Sequence, residues 1–170
     1  MKIIKQTTEI LNQTIDLIKS LNDEEYVAPL SVLNNTSVGQ HFRHIIEFYI
    51  ELINGYDNNL VCYDNRQRKT EFELNQDLII NEFKQIISSI HTFDLQRQLN
   101  IVSNHGLNEN ENSISQSSVL RELIYALDHT IHHLAIIKIA IQTEFKNIVL
   151  SPTLGVAPST VRNRNKVCAQ

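Results

Sequence analysis

The sequence predicts an all-α protein built as a four-helix bundle, and three observations carry that expectation. Apolar residues recur three and four positions apart over four long segments, the period of a helix with one buried face. Four glycines and three prolines are few breakers for 170 residues, so the segments can run long. No internal repeat and no alternating strand and helix rhythm is present, which leaves helix-on-helix packing as the natural arrangement. A chain that is 42% hydrophobic and 20% charged suits a single domain over residues 1–170, with a core over 7–145 and a tail over 146–170.

The first helix is expected over Thr7–Leu21, where Ile10, Leu11, Ile15, Leu17, Ile18 and Leu21 share a face. Thr36 and Ser37 offer an N-cap for the second, which Val38, Phe42, Ile45, Ile46, Phe48, Tyr49, Leu52 and Ile53 carry to Gly55, read as its stop. The third runs from about Leu74 to Ile90. Leu95–Ser103 then alternates at Leu99 and Ile101 and leads into an Asn-rich bend, His105–Asn112, a short hairpin or an irregular excursion. Ser117 or Ser118 caps the fourth helix, which runs to about Phe145 and is apolar on nearly every side. Beyond it, Gly155, Pro158, Arg162, Arg164 and Lys166 suggest an extended tail over the surface. If that tail packs beside a site, Ser159, Thr160 or Arg162 could touch a ligand.

Charge and composition exclude several functions. A net charge of -4 and a pI near 5.9 lack the surplus of Lys and Arg that neutralising nucleic-acid phosphates requires. The most apolar stretch, Val119–Ile141, is interrupted by Arg121, Glu122, Asp128, three histidines and Lys138, so it reads as a buried helix and not a membrane span. Cys62 and Cys168 form no CxxC pair, and with no secretory pattern ahead of them they read as reduced thiols of a cytoplasmic protein.

Placement of the histidines points to chemistry. His129 and His133 are four apart on the fourth helix, about 40° apart on one face, a spacing that lets two imidazoles reach one metal ion. His41 and His44 share a face of the second helix. With the two helices adjacent, one of that pair completes a three-histidine set and leaves a coordination position open, as catalytic sites do. The plainer reading, histidines satisfied by carbonyls or water, conflicts with the apolar residues around them: Leu127, Ile131, Leu134, Ile136 and Ile137. His132 lies off this face, and His91 and His105 sit at a helix end and in a loop.

Two segments, Ser37-Val-Gly-Gln-His-Phe-Arg-His44 and Asp128-His-Thr-Ile-His-His133, resemble the DinB/YfiT-like superfamily over roughly residues 7–145. The resemblance implies a four-helix bundle holding a divalent metal, variously zinc, nickel, manganese or iron. His44 matches the first ligand, and His129 and His133 match the HxxxH pair. His41, one turn earlier, is then a partner to a ligand or an alternative ligand. The resemblance also implies a homodimer and a small-molecule substrate, with hydrolysis or the transfer of a low-molecular-weight thiol as the activity.

Residues around the site extend the reading. Glu122, two turns before His129, is a candidate general base or an acceptor for an imidazole, with helix capping as the competing role. Arg66 and Arg68 could hold a substrate carboxylate or phosphate, or Asp64 pairs with one of them to pin the loop. Arg43 is expected to be a surface charge. The first function expected is small-molecule hydrolysis, the second thiol transfer, and the third a non-catalytic bundle stabilised by metal or serving a partner.

Overall fold

The computed structural model describes residues 2–104, 106 and 111–167. His105, Cys168 and most of the bend His105–Asn112 lie outside these residues, as does the side chain of Lys166. The chain order is α1 (Lys2–Lys19), α2 (Asp23–Val27), α3 (Val38–Asn58), β1 (Leu60–Val61), α4 (Glu71–Leu74), α5 (Gln76–Ile90), β2 (Gln98–Asn104), β3 (Asn112–Ser118), α6 (Val119–Glu144) and α7 (Pro158–Val167). Four long helices enclose the core: α1 packs on α5 and α6, and α3 packs on the same two. Leu11, Ile18, Phe42, Ile45, Leu52, Ile79, Phe83, Leu134 and Ile141 are fully buried between them.

The expected all-α class is overturned by a three-stranded mixed sheet in the order β1-β2-β3. β2 and β3 pair antiparallel from Gln98 opposite Ser118 to Asn104 opposite Asn112, and β1 joins β2 in parallel, Leu60 opposite Asn100. The sheet escaped the periodicity because β3 reads Asn-Ser-Ile-Ser-Gln-Ser-Ser and buries almost nothing, so backbone pairing and not an apolar face holds it. The extended tail is also corrected: residues 158–167 form α7. Ahead of it the chain turns back onto α6, where the Lys138 ammonium donates to the carbonyls of Ser151, Pro152 and Leu154.

Local chemistry fixes the helices that matter. Ser37 and Gln40 form a reciprocal capping box at the start of α3, Ser37 Oγ accepting from Gln40 N–H and Gln40 Oε1 accepting from Ser37 N–H. Ser118 caps α6 by accepting from Arg121 N–H, so Glu122 takes no part in the cap. Gly55 does not stop α3, which runs one turn further to a left-handed Asn59 at φ 55°. Its role is close approach, since a Cβ there would lie 2.5 Å from the Leu60 carbonyl oxygen and from a Val61 methyl.

Candidate metal centre

The packing of α3 on α6 brings the histidines together. His44, His129 and His133 each offer a ring nitrogen, and the three lie within 4.8 Å of one another, half-buried and positioned to hold a metal ion. His44 Nε2 is 2.9 Å from His129 Nε2. Two bare lone pairs repel at that distance, so either one proton lies between them or one cation faces both. Nitrogens bound at about 2.1 Å to one cation stand about 3.0 Å apart at right angles and about 3.4 Å apart at the tetrahedral angle, so this pair lies at the close end of what a shared divalent ion spans.

The rings are kept neutral. Burial, followed by the charges of His129, Arg66, Arg43 and His41, lowers the His44 pKa to about 4. Burial first, then His132 and Arg66, lowers His129 to about 4. His133 falls to about 3, again chiefly through burial and then through its histidine neighbours. His41 is lowered by burial as well. Unprotonated imidazole is the form that ligates metal, so the pocket removes the competing proton.

Aromatic residues orient the rings. Phe48 stacks on His129 with centroids 4.0 Å apart, meets His44 edge-on at 5.0 Å and stacks on Tyr63 at 5.0 Å. Tyr125 lies 6.1 Å from His129 and 5.5 Å from Tyr63. Phe48 and Tyr125 stand four residues from His44 and His129 on the same helix faces, a spacing that could have marked them in the sequence. Tyr63 carried no such signal, because the turn Tyr63–Asn65 places it.

The other expected site residues fall as follows. His41 Nδ1 is 3.0 Å from His133 Nδ1, and His41 Nε2 is 3.5 Å from Thr36 Oγ1. Glu122 is buried, its two oxygens accepting from the hydroxyls of Tyr63 and Ser117. Burial first, then the charge of Glu122 and the hydrogen bond donated to it, pushes the Tyr63 phenol well above its ordinary range. Arg66 Nε faces the buried Glu47 carboxylate at 3.5 Å, and its Nη1 donates to the Tyr63 carbonyl. Arg68 is exposed.

Two expectations about this loop are corrected. Asp64 pairs with neither arginine; its carboxylate accepts from Asn104 N–H. Arg43 is no surface charge but a mostly buried tie, 3.3 Å from Glu47 and 2.7 Å from Glu73. The burial of Glu47 creates the demand for both guanidiniums, and Lys69 N–H adds a hydrogen bond to its Oε1. His132 is exposed, and His91 meets Thr8 Oγ1 at 3.2 Å. On the α7 side, Ser159, Thr160 and Arg162 are exposed.

On the far side of Tyr63 and Tyr125 from the histidines, a cleft of about 360 Å³ lies between β2, β3 and the start of α6, and no histidine lines it. Tyr63 and Tyr125 form its wall toward Phe48 and His129, and Ser103, Ser115, Gln116 and Arg121 supply polar groups. Among the described residues no helix is long and apolar enough to cross a membrane. No protein-family model matches the chain, and no curated protein matches it either.

Proposed function

We propose that this chain is a metal-dependent enzyme acting on a small molecule, with a divalent cation held by His44, His129 and His133. The single observation that carries the reading is the three neutral imidazoles converging within 4.8 Å. Such a cation, on three nitrogen ligands with a position left open, supplies Lewis-acid chemistry that makes a bound water or thiol a better nucleophile. The protein's own part is to hold the rings unprotonated, to brace His129 against Phe48, and to seat the rest of the substrate between Tyr63, Tyr125 and the polar groups of the cleft.

Hydrolysis is the first form of the proposal. Thiol transfer is the second, and one observation favours it: Glu122, the base expected for water, has both oxygens committed to hydroxyls and is not among the groups clustered with the histidines. The motif order on α3 and α6 supports the resemblance to the DinB/YfiT-like superfamily, and with it a homodimer.

The test uses the chain without a histidine tag. Elemental analysis should find one equivalent of metal in the parent and a large loss in His129→Ala and His133→Ala. Clearly sub-stoichiometric metal, or content unchanged by the substitutions, overturns the proposal. Loaded protein is then offered generic esters and amides in one series and thiols with electrophiles in another, and turnover in one series alone selects between the two forms.

A further inference from the structure

The hydrogen bonds behind His133 form a directed chain. The Thr36 hydroxyl has one hydrogen, and it goes to the Leu33 carbonyl at 2.7 Å. Toward His41 Nε2, 3.5 Å away, Thr36 Oγ1 can therefore only accept. A neutral His41 that donates from Nε2 carries its lone pair on Nδ1, and the atom facing that lone pair at 3.0 Å is His133 Nδ1. Two lone pairs cannot face each other there, so His133 Nδ1 carries the hydrogen. The remaining lone pair of His133 is then on Nε2.

We infer that Thr36 and His41 are positioning residues: acting in series, they lock His133 as its Nδ1–H tautomer, so that Nε2 is the atom presented to the cation. The inference rests on the metal reading above, but it concerns the protein's own hydrogen bonds and can be tested without metal. It also separates the three ligands by role. His133 is set in advance by a hydrogen bond from behind, the arrangement that fixes ligand rings in metal sites. His44 and His129 face one another through Nε2 atoms at 2.9 Å, and one of them must give up a hydrogen there before a cation can be shared.

Long-range nitrogen–proton NMR correlations distinguish the two tautomers of each imidazole in the apo protein. The expected spectrum has a protonated Nδ1 and bare Nε2 for His133, and the reverse for His41. In His41→Ala the His133 signals should move toward a tautomer mixture and zinc affinity should fall about 10- to 100-fold. His41→Gln, whose amide oxygen can accept from His133 Nδ1–H, should recover part of both. Thr36→Val should disturb the tautomer of His41, and Thr36→Ser should preserve it. Circular dichroism confirms that each variant is folded, and the Thr36 pair decides the matter if His41→Ala is not. A bare Nδ1 on His133 in the parent, or a tautomer unmoved by both His41→Ala and Thr36→Val, overturns the inference. A parent protein that takes up no zinc while showing the expected spectrum sinks the metal proposal and leaves the tautomer lock standing.

Discussion

Cation uptake at His44, His129 and His133 should persist to acidic pH, because the fold has already weakened their hold on protons. Each ligand must shed its proton before it binds. At about pH 5, three histidines at the ordinary 6.5 would lower zinc affinity by a factor on the order of 10⁴. With the rings at about 4, 4 and 3, the loss at that pH is less than about tenfold. Competition with a chelator of known proton affinity, run from about pH 8 to about pH 5, measures this directly. Calorimetry at about pH 6 in two buffers of different ionisation enthalpy gives the proton count: near zero per zinc here, against about two for unperturbed rings. A drop of about a thousandfold between neutral pH and pH 5, or release of two protons, would refute the burial argument.

The same shift makes the apo protein acid-sensitive. The unfolded chain takes up protons at these histidines near 6.5 and the folded chain resists until about 4, so stability is full above 6.5 and is lost as the pH falls through that window. Urea unfolding across the range checks the sign. Tyr63→Phe removes a hydroxyl donor to the buried Glu122 carboxylate and should cost about 1.5–3 kcal/mol in the same assay. Glu47→Ala strips the shared carboxylate from the mostly buried Arg43 and Arg66 and should cost about 3–5 kcal/mol, with faster proteolysis of the 62–69 loop. Gly55→Ala drives a methyl into the backbone of β1, so about 1–3 kcal/mol and a shift in the β1 resonances are expected.

What the sequence disclosed follows the physics of each signal. The long helices were legible because their buried faces repeat with the helical period and two of their caps are chemically explicit, at Ser37 and Ser118. The histidine set was legible because His129 and His133, four apart on one helix, and His41 and His44, three apart on another, share faces whatever the loops do. The sheet was not, since strand signals depend on one apolar side and β3 has a single apolar residue, Ile114, which is exposed. Arg43 was misread because its partner Glu73 is thirty positions away and reaches it only when α4 folds against α3. The role of Thr36 beyond the cap region depends on the direction of one hydroxyl hydrogen, which no spacing encodes.

The position of Ser117 opposite Leu99 ties the surroundings of an acid on a helix to the alignment of two strands. Neighbouring hydroxyls divide the labour at this joint, Ser118 serving the first turn of α6 and Ser117 serving Glu122. Because successive strand residues point to opposite sides, turning β3 over by one place would point Ser117 away from Glu122 and leave the carboxylate with its phenol alone. Alterations well out along the hairpin can therefore reach the wall of the cleft without touching it.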